Sequence, residues 1–177
     1  VLLVAGVFAG AAATDSPDLA ALVEGNNAFA FDLYSALAKE EGNLFLSPYS
    51  ISSALGLAYA GARGRTAAEM EKVLHYDLPG ARLHQAFAGL AKTFNAGGKS
   101  YSLSVANALW AQAGMKIFPE YLAIADRYYQ AGLKEVDYAR ETEKARQTIN
   151  RWVEEKTENK IVELIKPNIL DKLTRKG

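Results

Sequence analysis

The stretch "NLFLSPYSISSALGLAYAGARGRTAAEMEKVL", Asn43 to Leu74, gathers Ser47, Tyr49, Ser50, Ser52 and Ser53 where the chain turns from a strand-like run into a helix that is apolar almost all round. Hydroxyls in such a place could cap a helix, bond to a neighbouring backbone or act as nucleophiles. A nucleophile would need a base beside it. His75 and His84 are the only histidines, nine residues apart and separated by Pro79, so they do not share a helix face. No His-Glu-x-x-His pattern is present, so zinc is not expected and both histidines read as surface or packing residues. No Gly-x-Ser-x-Gly elbow occurs. Asp126, Glu135 and Asp137 show no acid–base pairing. "GGKS" at Gly97 to Ser100 lacks the first glycine of a phosphate loop, since Thr93 stands there, and it follows a helix instead of a strand. "GARGR" at Gly61 to Arg65 reads as a helix–helix turn. No catalytic residue, metal ligand or cofactor is expected, and the chain does not read as an enzyme.

The hydroxyls must therefore be placed by structural elements. Ser16-Pro17 is a helix start, N-cap followed by proline, and the helix runs toward Ala38 with Phe29, Leu33, Ala36 and Leu37 on one face. Asn43 to Leu46 reads as a short strand. Ser47 is the natural N-cap of a helix from Tyr49 to Ala60, with Ile51, Leu55, Ala58 and Tyr59 on one face, broadened by Ala54 and Leu57. Ser50, Ser52 and Ser53 are expected to bond within that helix. Thr66 to Glu69 has the form of a capping box and starts the next helix, through Leu74. Leu83, Phe87, Leu90 and Phe94 form the stripe of another, which ends at Gly97-Gly98.

The period then changes. "YSLSVANALWAQ" alternates from Tyr101 to Ala111 as a strand of unusual length. Phe118-Pro119-Glu120 starts a helix through Tyr129, and Leu133 to Tyr138 is a second strand. The next helix begins near Glu141, with Ala145, Ile149, Trp152 and Val153 inward. It ends at Asn159-Lys160, before a short apolar segment, Ile161 to Ile165. Two strands alone do not make a stable sheet.

Bulk properties agree with a globular chain. It has 177 residues, 50% hydrophobic and 23% charged, with 20 basic and 20 acidic residues and a formal net charge of 0. A chain near this size buries roughly 70% of its unfolded surface. Charge balance gives no reason to expect nucleic acid or an acidic membrane as partner. One helix carries only Arg82 and Lys92, so no heparin-type basic patch is expected. No cysteine is present. Val1 to Ala13 is uncharged and apolar, too short for a bilayer span of about 20 residues. With Ala11-Ala12-Ala13 as a cleavage pattern it reads as a clipped signal peptide, residues 1–13, ahead of one domain over 14–177. The expected location is extracellular, or periplasmic or at the cell surface if the source is bacterial.

The pattern from Asn43 to Leu74, an N-L-F-x-S-P-x-S-I run followed by an apolar helix and G-A-x-G-x-T-x-x-E, resembles the serpin family. "SVANALWAQ", "FPEYL", "EVDY" and "INRWVEEKTENKIVELI" resemble its following segments in order, over about Ala20 to Lys172. The resemblance implies an α+β fold: the N-terminal part of the serpin architecture, six helices and the first strands of the large central sheet. The reactive-centre loop and the C-terminal sheets would be missing. It implies a shutter role for Asn43, Ser47, Pro48 and Ser50, whose hydroxyls could re-pair with strand backbones that must part. It implies sheet–helix packing for Asn107, Trp110, Asn150 and Trp152.

The implied activity is suicide inhibition of a serine or cysteine protease, with a cleaved loop inserting as a new strand. The residues that choose the protease would lie outside this chain, and the resemblance leads one to expect a Val-, Leu- and Asn-rich run where Lys176-Gly177 follows Leu173-Thr174-Arg175. Two alternatives stand beside it: a non-inhibitory serpin acting as carrier, chaperone or storage protein, and a freestanding helical interaction module.

Overall fold

Six helices and two strands are formed by the described residues of the computed structural model: 16–39, 41–96, 105–171 and 174. They divide into two compact units, residues 1–97 and 98–177. The apolar stretch read as a signal peptide, the Gly97-to-Ser100 run and the first part of the long strand reading, residues 101–104, lie outside the described residues.

In the first unit, helix α1 (Pro17–Leu37) starts as its sequence requires. Ser16 is extended, Pro17 takes the first helical position, and Asp18 lies in the first turn, where the helix dipole favours an anion. Arg82 of helix α4 (Gly80–Asn95) closes on Asp18 with two guanidinium nitrogens, one at 2.9 Å, and depresses its carboxyl pKa. Leu22, Gly25 and Phe29 are buried. The expected apolar face fades beyond them: Leu33 is half-buried, Ala36 and Leu37 are exposed, and Phe31 is 68% exposed. No described element covers that half of α1. The stripe of α4 is as its periodicity requires, with Leu83, Phe87 and Leu90 buried and Phe94 half-buried. Fully burying a side chain of this size stabilises by about 1.5–3 kcal/mol.

Helix α2 (Pro48–Gly61) departs from the sequence reading. Its buried face is Ser52, Ser53, Gly56, Leu57 and Ala60, while Ile51, Leu55 and Ala58 face outward. A helix apolar all round gives periodicity no face to choose. Small side chains win here because α2 must fit beside α1, α3 and α4. Asn43 to Leu46 forms no strand. It carries no regular structure and has no ladder partner among the described residues, and Phe45 is 91% exposed.

Helix α3 (Gly64–Leu74) begins two residues before the capping-box threonine, with Arg63 at the N-cap and no side-chain cap. Glu69 pairs instead with Arg65, one turn back, at 2.7 Å. α3 ends on His75 in the left-handed region, φ 53°. There the chain presses against α1: a Cβ at Gly25 would sit 2.2 Å from the His75 carbonyl oxygen.

In the second unit, strands β1 (Leu109–Gln112) and β2 (Leu133–Val136) pair in parallel, Leu109 opposite Leu133 and Gln112 opposite Val136. A parallel pair needs a long crossover, and helix α5 (Pro119–Tyr129) supplies it. Both strands are shorter than their alternation suggests. Residues 105–108 are irregular, and the second strand stops at Val136 because Asp137 turns the chain. The Asp137 carboxylate accepts from Gln112 Nε2 and from the Arg140 N–H, each at 3.0 Å. Alternation is a side-chain signal, and the ladder extends only where a partner backbone lies opposite.

Helix α6 (Thr142–Lys156) buries Ala145, Ile149 and Val153. Trp110, Val136, Tyr138, Ala145 and Ile149 form the core of this unit, with Ala108, Trp152, Ile165 and Leu170 packed on it. The Ile161-to-Ile165 run is largely exposed, Ile161 at 44% and Val162 at 58%.

Candidate functional site

The expected functional residues fall into two groups, one in each unit. In the first, Ser47 is extended (φ −113°, ψ 97°) and its Oγ accepts from the Ser50 N–H at 3.3 Å, while Pro48 removes a donor that would have no partner at the first helical position. The two hydroxyls, Ser47 Oγ and Ser50 Oγ, bond at 2.9 Å. Ser47 and Ser50 are exposed, as is Asn43, and Pro48 is half-buried.

One turn further on the environment reverses. Ser52 is 0% and Ser53 2% exposed. Ser52 does not bond only within its own helix. The Tyr76 hydroxyl donates to the Ser52 carbonyl at 2.7 Å and lies 3.4 Å from Ser52 Oγ. Tyr76 thus ties α2 to the turn after α3. Burial pushes its phenol up to about 12, with the Ser52 bond pulling the other way. Burial likewise lifts Tyr49 to about 12, against the Ser53 side chain beside it. Tyr59 stacks edge-on to Tyr76 at 5.5 Å and donates to Glu71 Oε1 at 2.5 Å. Burial first, then that carboxylate, raise it to about 12.

Tyr76 and Glu71 carry no sequence signal that names these partners. An aromatic residue just past a helix end was the only hint. Of the two histidines, His75 Nε2 bonds Asp32 at 2.7 Å, and His84 is buried beside Tyr59, where desolvation lowers its pKa. Arg63 donates to the carbonyls of Ala60 and Ala62, at 3.0 and 2.7 Å, and so caps the end of α2.

In the second unit, Trp152 of α6 meets Trp110 of β1 edge-on, ring centres 6.1 Å apart at 79°. Lys134 Nζ lies over the Trp110 ring at 5.7 Å. Asn107 is half-buried in the irregular segment before β1. Asn150 holds one residue by both backbone groups: Nδ2 donates to the Ile165 carbonyl at 2.9 Å, and Oδ1 accepts the Ile165 N–H at 2.8 Å. Arg146, which the sequence reading passed over, is 9% exposed. It grips both oxygens of Glu143, at 2.7 and 2.9 Å, and reaches Glu163 at 2.9 Å and the Ile165 carbonyl at 2.8 Å. The guanidinium, helped by Gln147, brings the Glu143 carboxyl down to about 2. The spacing of Glu143 and Arg146, one turn apart, was the available signal.

These contacts hold one element of a unit to another. Among the described residues no three metal-ligating side chains converge, and no helix is long and apolar enough to cross a membrane.

The family model described as Serpin (serine protease inhibitor) matches residues 24–176. The chain is 43% identical over 152 residues to a leukocyte elastase inhibitor of Bos taurus, covering 85% of this chain and 40% of that protein. It is 40% identical over 157 residues to serpin B6 of Pongo abelii, 87% of this chain and 42% of that one. Among solved structures it is similar to emu ovalbumin (Dromaius novaehollandiae), with a TM-score of 0.82 at 29% identity over 88% of this chain and 44% of the other. The chain spans about two-fifths of the length of the curated relatives it matches.

Proposed function

The chain belongs to the serpin family, and from that premise we propose that the protein inhibits a serine protease of the elastase kind by acting as its suicide substrate. The observation that carries the reading is the 43% identity to a protein named leukocyte elastase inhibitor. In the proposed course an exposed loop is bound as a peptide substrate. The protease's serine Oγ attacks the scissile carbonyl, the C–N bond breaks, and the amine leaves with a proton. The ester stays on the enzyme while the freed loop enters the central sheet as a strand. β1 and β2 are two neighbouring strands of that sheet, and α6 packs against them.

Under this reading Asn43, Ser47 and Ser50 provide polar groups that can pair with strand backbones as strands part, and Pro48 fixes the helix start between them. The Ser47–Ser50 hydroxyl pair supports it, because a hydroxyl is both donor and acceptor and rotates from one partner to another. Trp110 and Trp152, beside Asn107, would keep α6 seated on the sheet, and Asn150 would tie the segment after α6 to that helix at Ile165. An extracellular location belongs to the same proposal; recovery of the protein from medium, with its N-terminus sequenced, tests it.

The direct test mixes the full-length protein with elastase. A covalent complex that survives denaturing electrophoresis is expected. Clean cleavage without a complex would overturn inhibition and leave the carrier, chaperone or storage reading. Ser50→Ala should raise the fraction of inhibitor cleaved without trapping.

A further inference from the structure

Polar bonds tie the segment after α6 to that helix, lightly at Ile161, whose N–H donates to Thr157 Oγ1 at 3.1 Å, and most densely at Ile165. At Ile165 the backbone N–H and carbonyl are both taken by the Asn150 side chain, and the carbonyl is shared with Arg146. Arg146 adds Glu163, whose other oxygen pairs with Lys166 at 3.2 Å. Two shallow hollows open to solvent adjoin these bonds: one of about 450 Å³ lined by Asn150, Arg151, Val162 and Glu163, and one of about 310 Å³ lined by Glu143, Arg146, Asn168 and Leu170.

Within this chain the apolar anchors are Ile165 and Leu170, which pack on the core, while Ile161, Val162, Leu164 and Ile169 are 44–69% exposed. Asn150 therefore stands in for a strand partner, one donor and one acceptor aimed at the same residue. A segment with few buried apolar contacts opens at a fraction of the global free energy.

We propose that residues 161–171 form a strap latched at Ile165 by Asn150 and Arg146, and that this strap opens as a unit while α6, β1 and β2 stay closed. The inference does not depend on which protease, if any, the protein inhibits. Only asparagine fits the latch fully. Aspartate keeps the acceptor and loses the donor, and alanine loses both. Lysine at Arg146 keeps the charge and loses the fork.

Hydrogen exchange of the full-length protein, followed by mass spectrometry, tests it. In the wild type, peptides from 161–171 should exchange with a shallower denaturant dependence than peptides from 145–153. Asn150→Ala should speed strap exchange by on the order of tenfold or more, Asn150→Asp and Arg146→Lys by less, with 145–153 unchanged in each. Strap and α6 peptides exchanging together in the wild type would overturn the proposal without any variant. An unchanged strap rate in folded Asn150→Ala, or a rise shared equally with α6, would do the same.

Discussion

Helices α2 and α6 carry similar hopes in the sequence and meet different fates. α6 is polar on most of its surface, so its few apolar residues can face only one way; Ala145, Ile149 and Val153 are inside. α2 is apolar nearly everywhere, and its buried face holds two serines and a glycine while Ile51 and Leu55 look outward at 36% and 37% exposure. A hydrophobic stripe reports an inward face only when a polar remainder contrasts with it. Where contrast is lacking, side-chain size and the reach of hydrogen bonds decide. Tyr76 reaching to Ser52 is such a bond.

The largest way to break the comparison lies at the crossing that seats α1 against the end of α3. Gly25→Ala places a methyl against the His75 carbonyl, a backbone atom that cannot swing aside. The expected loss is about 3 kcal/mol, at the upper end of overpacking costs, read as a lowered melting temperature of the full-length protein. An unchanged melt would mean α1 and the His75 turn do not cross so closely.

Next, Leu57→Ala should cost about 3 kcal/mol, because Leu57 is 7% exposed on the small-residue face. Leu55→Ala on the outer stripe should cost less than about 0.5 kcal/mol if nothing else covers it. Equal losses in denaturant titrations would show that residues outside the described ones bury the stripe. Tyr76→Phe is milder. It removes the donor to the Ser52 carbonyl and should cost about 1–2 kcal/mol by the same measurement, with no change for a phenylalanine that simply fills the space.

The smallest effect separates the two units by acid. His84 has a lowered pKa because it is buried, so its contribution is present above its ordinary value near 6.5 and is lost as pH falls below that. Glu143 is depressed from 4.5 to about 2, so its contribution is present above 4.5 and is lost between 4.5 and 2. Hydrogen exchange should therefore loosen residues 80–95 first and residues 142–156 at lower pH. His84→Gln should flatten the first step alone.

Much of this was legible beforehand. Proline at a helix start placed α1, α2 and α5, each with Pro at its first position. The stripe on α4 and the inward set on α6 followed from contrast. The strands were legible as alternation and not as length, since length belongs to the pairing partner. The short run before Ser47 reads as a strand and has no ladder partner among the described residues. In the site, Ser47 as a cap is a local matter and could be read. The Tyr76–Ser52 and Arg146–Glu163 bonds could not, because they join residues 24 and 17 positions apart, although the Glu143–Arg146 spacing was there to read. Asn150 stood out only through the family's pattern.

The contact at Gly25 also has a genetic reading. Every missense change at that codon, whichever base is altered, adds at least one carbon where the His75 oxygen already sits. Position 25 thus has synonymous neighbours and no conservative ones, so substitutions there are expected to be depleted whatever their polarity.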